Sequence, residues 1–172
     1  MLDQVSEADC GVVTGRVRAR VAELAAEQPD RFVLADSRER IGLFRGVSLK
    51  PNERECQRAL GIDSVAPGAV LDLARRAGRP VFCTRGERGI LVADPHAGTT
   101  AEVPAYPVTG PIDPVGAGDS TSAGLACALA AGASLPEAAA FANLVASVTI
   151  QQIGTTGTAS PQQLRQRWQQ VR

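Results

Sequence analysis

Short runs rich in Val, Leu, Ile and Phe alternate with segments of helical period through the first half of the chain, and that alternation decides the class of fold. Residues 10–14, 31–36, 47–49 and 80–84 read as strands. Residues 17–28 carry Val17, Val21, Leu24 and Ala25 at helical spacing, and 70–77 form a second helical segment closed by Gly78. Strand, helix, strand in succession predicts a mostly parallel sheet with right-handed crossovers and helices on both faces. The glycine-bearing stretch 85–89 is turn material leading into a return strand at 89–93, and an edge strand follows at 100–103. Three helices finish the chain, at 117–132, 136–150 and 161–171. Pro136 and Pro161 stand in first turns, behind Ser134 and Ser160 as candidate caps. A single domain over 1–172 is expected, with no repeat or interdomain linker.

Composition removes several classes of function. Lys plus Arg equal Asp plus Glu at 18 each, and aromatics make up only 3%, so neither a basic stripe nor stacking platforms for nucleic acid are present. No apolar run approaches the roughly 20 residues of a membrane span. The first residues lack the basic and apolar regions of a signal peptide, so a cytoplasmic protein is expected. Four cysteines stand far apart without a CxxC pair, and His96 is the one histidine. Isolated buried thiols are expected rather than a zinc site. A dinucleotide-binding module is disfavoured because no G-x-G-x-x-G follows the first strand, and no P-loop occurs either.

The chemistry concentrates in Asp113-Pro114-Val115-Gly116-Ala117-Gly118-Asp119, which runs directly into a small, apolar, helix-forming segment. Glycines let successive N–H groups converge on one point, and a helix starting there adds the positive end of its dipole. Such a corner attracts phosphate. A carboxylate at the same corner suits a group that takes a proton from whatever attacks that phosphate. Asp119 has a second reading, as a helix cap. Asn52 and Glu55 likewise have two readings, because N-x-x-E is the spacing of a helix capping box.

Several segments together resemble the ribokinase-like (PfkB) carbohydrate kinases, and more loosely their heptose-phosphate kinase branch. Residues 113–119 look like that family's D-[TP]-x-G-A-G-D signature, and Lys50-Pro51-Asn52-Glu53-Arg54-Glu55 is similar to its K-P-N-x-x-E element. Thr84-Arg85-Gly86-Glu87-Arg88-Gly89 resembles the T-x-G-x-x-G nucleotide hairpin, and Ala142-Asn143-Leu144-Val145-Ala146 the A-N-x-x-A helix. The segment 154–161 is similar to the heptose branch. The likeness corresponds to the later part of the family pattern. The N-terminal glycine-rich elements and the β lid that hold the sugar have no counterpart.

The resemblance implies a ribokinase-like three-layer α/β sandwich acting as an ATP-dependent carbohydrate kinase. Asp119 is then the general base, and Gly116, Ala117 and Gly118 supply an anion hole. Asn52 and Glu55 order water around Mg²⁺. Asp113 helps form a loop for a monovalent cation such as K⁺. Thr84 and Gly86 line the nucleotide, with Asn143 and Ser147 near its adenine or ribose. The implied partner is a sugar or sugar phosphate, with a homodimer or a complementing chain as protein partner. Two alternatives stay open: a homologue that binds nucleotide or a partner without turnover, and a lidless kinase of a vitamin-like alcohol. Lys50 is expected as a solvated strand-end charge. Arg38 and Arg40 are either loop charges or neighbours of a substrate phosphate. His96 belongs to an exposed turn, and Trp168, on the final helix with Leu164 and Val171, is expected to pack against the domain.

Overall fold

A computed structural model describes residues 1–172. The chain divides into two compact units, Met1–Arg85 with Leu91–Glu102, and Gly86–Ile90 with Val103–Arg172.

The first unit is built on a six-stranded sheet in the order β1 (Leu2–Asp3), β2 (Leu34–Ser37), β3 (Ser48–Leu49), β4 (Val81–Thr84), β5 (Ile90–Asp94) and β6 (Thr99–Val103). The first four strands run parallel, with Leu2 opposite Asp36, Leu34 opposite Ser48, and Leu49 opposite Val81. Helix α1 (Gly15–Glu27) connects β1 to β2, and α2 (Glu53–Leu60) with α3 (Pro67–Ala77) connects β3 to β4. The β4–β5 and β5–β6 links, at 85–89 and 95–98, are too short for the crossover that a parallel pair requires.

Each helix begins and ends on local chemistry. The Thr14 hydroxyl accepts from the Val17 amide at the head of α1, Pro67 occupies the first turn of α3, and Gly61 and Gly78 close α2 and α3 in the left-handed region. Val70, Leu73, Ala74 and Ala77 of α3 pack on Val47, Leu49, Val81 and Cys83, with Ile41 and Phe44 filling the centre of the same core. Aliphatic side chains carry that core, as the scarcity of aromatics requires.

The strand expected at 10–14 is not formed. Asp9 turns the chain at φ 58°, its carboxylate accepts the Gly15 amide at 2.5 Å, and Thr14 becomes the cap of α1. Too little chain remains between those anchors for a strand, and Val12 is left 88% exposed. The expected strand at 31–36 starts later, at Leu34, because the Arg31 amide closes a turn on the Gln28 carbonyl. Two-residue β1 was not anticipated.

The second unit holds α4 (Ala117–Ala130), α5 (Leu135–Thr149) and α6 (Pro161–Val171). Glu137 accepts from the Ser134 amide and hydroxyl at the start of α5, and Ser160 and Gln163 cap α6 reciprocally. Arg167 donates to the Ser147 hydroxyl at 3.1 Å and to the Pro107 carbonyl, and Trp168 meets Tyr106 edge-on at 6.3 Å. Trp168 stays 46% exposed, so its expected packing is partial. No helix is long and apolar enough to cross a membrane.

Candidate active site

In the second unit, the loop ahead of α4 is tied down by one carboxylate. Asp113 accepts the Val115 amide through Oδ1 at 3.0 Å and the Gly154 amide through Oδ2 at 2.9 Å, while its own N–H donates to the Ile150 carbonyl at 2.7 Å. Those two amides hold the Asp113 carboxyl below its usual range. The stabilisation from this clamp is therefore complete above the unfolded carboxyl pKa and is lost as pH falls through the lower folded value. Both oxygens are engaged inside the protein, so Asp113 acts on this loop as a tie.

Gly116 follows at φ 79° and caps α4. A Cβ there would stand 2.6 Å from Thr156 Cγ2, so both the backbone angle and the space require glycine. The Ala117 amide donates to the Pro114 carbonyl at 3.0 Å. It is thus taken by the loop, which leaves Gly118 and Asp119 as the first-turn amides with no intrahelical carbonyl in register. Asp119 sits in the first turn of α4, exposed, and its carboxylate makes no hydrogen bond or ion pair. The capping alternative is not realised: no side chain caps α4. An unbonded carboxyl group and two open amides therefore share one helix start.

Gly86 opens a single 3-10 turn at φ 58°, with open space where a Cβ would stand. Asn143 is buried in α5, and its NH₂ donates to the Val103 and Pro104 carbonyls at 3.1 and 2.9 Å. Ser147 is buried too. Its hydroxyl donates to the Leu144 carbonyl at 2.8 Å and accepts from Arg167. Neither of these two expected nucleotide residues presents an uncommitted donor.

In the first unit, Asn52 and Glu55 form a complete capping box at the head of α2, with the Glu55 amide on Asn52 Oδ1 at 2.9 Å and the Asn52 amide on Glu55 Oε2 at 2.8 Å. Partial burial raises the Glu55 carboxyl above its ordinary value, against the opposing pull of the Asn52 amide. Asp36 adds to the rise and Lys50 counters it. The Thr84 amide donates to the Pro51 carbonyl at 2.9 Å, which sets Thr84, the last residue of β4, beside Asn52 at the head of α2. This unit thus brings Asn52, Glu55 and Thr84 together. No three His, Cys, Asp or Glu side chains gather as a metal-holding group. The hard oxygens of Asn52 and Glu55 fit a magnesium ion that arrives with phosphate and water, not an all-protein cage.

Two expectations are corrected by position, and a third residue has a role that the sequence reading missed. Lys50 is buried, with Nζ 2.8 Å from Asp36 Oδ2, and is not a solvated charge. Arg40 pairs with Asp3 at 3.1 Å and donates to the Ser6 carbonyl, so its guanidinium is structural. Arg85, inside the hairpin motif, is buried and paired with Glu102 at 3.2 Å, a role that a variable position in a motif does not announce.

A family model described as pfkB family carbohydrate kinase matches residues 47–163. The chain belongs to this family. Among curated relatives, the bifunctional protein HldE of Bradyrhizobium diazoefficiens is 33% identical over 170 residues, covering 90% of this chain and 34% of that protein. The HldE of Azotobacter vinelandii is 37% identical over 138 residues, covering 76% and 28%. The chain therefore spans about a third of the length of the curated relatives it matches. Solved structures agree on the fold. Phosphofructokinase-2 from Escherichia coli in complex with potassium superposes with a TM-score of 0.78 at 20% identity, over 99% of this chain and 57% of that one. Arabidopsis thaliana ribokinase complexed with ribose and ATP gives 0.77 at 22% identity, over 96% and 54%. The resemblance of the 113–119 signature is thus a family relationship, and the sheet with its helices is the ribokinase-like α/β fold.

Proposed function

We propose that this chain carries the nucleotide-binding and catalytic part of an ATP-dependent carbohydrate kinase acting on a sugar or sugar phosphate. The single observation that carries the reading is the unbonded, exposed Asp119 carboxylate in the first turn of α4, beside the open amides of Gly118 and Asp119. In the reaction, the acceptor hydroxyl gives its proton to Asp119, its oxygen takes the γ-phosphoryl group, and ADP leaves. Gly116 shapes the turn, and the Gly118 and Asp119 amides stabilise charge on the transferred group. Ala117 contributes by holding the loop, through its bond to Pro114. Asn52 and Glu55 order water around Mg²⁺, which when bound neutralises phosphate charge. Thr84 and Gly86 border the nucleotide. Asp113 ties the loop to the Gly154 segment, and that loop would take a monovalent cation such as K⁺.

A second reading is nucleotide binding without turnover. One pair of measurements separates the two. Isothermal titration reads Mg·ATP binding, and an assay coupled to ADP release reads turnover on sugars, sugar phosphates and vitamin-like alcohols. The kinase reading expects turnover on a sugar class that Asp119→Asn lowers by about 10²–10⁴-fold, with ATP affinity intact or slightly better. Binding with no ADP from any acceptor establishes the second reading. An Asp119→Asn variant as fast as the parent removes the base assignment.

A further inference from the structure

Asn143 has a place in the structure that its motif does not explain. It lies in the middle of α5, 7% exposed, with both amide hydrogens directed at consecutive carbonyls, Val103 at 3.1 Å and Pro104 at 2.9 Å. The orientation of the amide is settled by chemistry, since its oxygen turned toward two carbonyl oxygens would meet only acceptors. The same short segment is closely approached by Gly89. At φ 81°, a Cβ on Gly89 would stand 2.1 Å from the Val103 carbonyl oxygen, 2.5 Å from the Ala105 nitrogen and 2.6 Å from the Pro104 carbonyl carbon. Gly89 in turn closes the turn that carries Gly86, its amide donating to the Gly86 carbonyl at 2.9 Å. Two independent features, a double amide donor and a glycine with no room for a side chain, therefore meet on one stretch of backbone. That stretch follows β6 directly, and Pro104 contributes no N–H with which to anchor itself.

We infer that Asn143 is a positioning residue. Its two amide hydrogens hold the Val103 and Pro104 carbonyls where the 86–89 turn must rest, and so set the nucleotide-facing shape of that turn without Asn143 touching the nucleotide. The inference rests on the reading that this turn borders the nucleotide, and it replaces the expectation that Asn143 contacts adenine. It also explains why an Ala-rich helix accepts an Asn with poor helical propensity at its centre.

The test uses the full chain with Asn143→Asp, Asn143→Ala and Gly89→Ala. Asn143→Asp keeps size and an oxygen acceptor but replaces both donors with an oxygen facing two carbonyls. Asn143→Ala removes the donors without that repulsion and serves if the first variant folds poorly. Gly89→Ala disturbs the seat with Asn143 intact. Amide hydrogen exchange in the nucleotide-free protein is the first readout. Exchange over residues 86–90 should accelerate by on the order of tenfold in the Asn143 variants and in Gly89→Ala, well beyond any change in α6. Unchanged protection there overturns the inference. Titration with Mg·ATP is the second. A positioning role lowers affinity in Asn143→Asp at least as much as in Asn143→Ala, by about tenfold. Parental affinity in Asn143→Asp with loss in Asn143→Ala would instead mark the Asn143 oxygen as an adenine contact and end the inference. The exchange arm needs no nucleotide, so a parent that binds no ATP defeats the kinase reading while exchange still decides the seat.

Discussion

At the scale of single residues, the pair Asp36–Lys50 is the feature least like its sequence appearance. A lysine before Pro51 at a strand end looks solvated, yet its side chain is 4% exposed and that of Asp36 10%. Parallel pairing explains it: the Lys50 amide donates to the Ala35 carbonyl at 2.9 Å, which sets Lys50 against the end of β2 and brings the two side chains together. Taking two charges out of water is repaid only while both are present. Lys50→Met should therefore cost about 3–5 kcal/mol by leaving Asp36 buried and unpaired, and Asp36→Leu with Lys50→Met should recover most of it. Urea denaturation with linear extrapolation measures both, and a single variant as stable as the double one refutes the coupling.

At the scale of elements, the decisive contact in the second unit is made by small residues. Gly124 lies inside α4, where glycine weakens a helix by roughly 0.5–1 kcal/mol against alanine. The structure supplies the reason: a Cβ on Gly124 would stand 2.9 Å from the Ala142 Cα of α5 and 3.3 Å from Val145 Cγ2. Helix backbones approach that closely only where one partner has no side chain. Gly124→Ala, stabilising in an exposed helix, should here destabilise by about 1–3 kcal/mol through overpacking, read by chemical denaturation. A gain in stability would show that α4 and α5 have room to separate. The helices themselves were legible in the sequence, because Pro136 and Pro161 with Ser134 and Ser160 mark their starts by chemistry confined to one turn. The interface between α4 and α5 was not, since Ala123-Gly124-Leu125 within an apolar run reads the same whether or not another helix touches it.

At the scale of the whole molecule, the four cysteines divide by environment. Cys10 and Cys127 are exposed; Cys56 and Cys83 are buried with sulfurs 3.4 Å apart. The expectation of isolated buried thiols is corrected on both counts, because α2 and β4 carry two of them to one point of the core. The hydrogen bond to Cys83 and burial push the Cys56 thiol far up, and burial keeps reagents from both sulfurs. Titration of the native protein with an aromatic disulfide reagent should modify two thiols quickly and the other two only on unfolding. Four thiols reacting at one rate would place Cys56 and Cys83 outside the core.

Pattern and local chemistry by themselves determined the α/β class, the positions of the three final helices and the family signature at 113–119. Each of these depends on residues within a turn or two of one another. Only the tertiary structure decided that Lys50 is buried on Asp36 and that Asn143 faces the Val103 and Pro104 carbonyls. Those outcomes depend on which groups from distant parts of the chain compete for the same donors, acceptors and space. A one-dimensional pattern records what a residue can bond, whereas the folded chain selects which partner it meets.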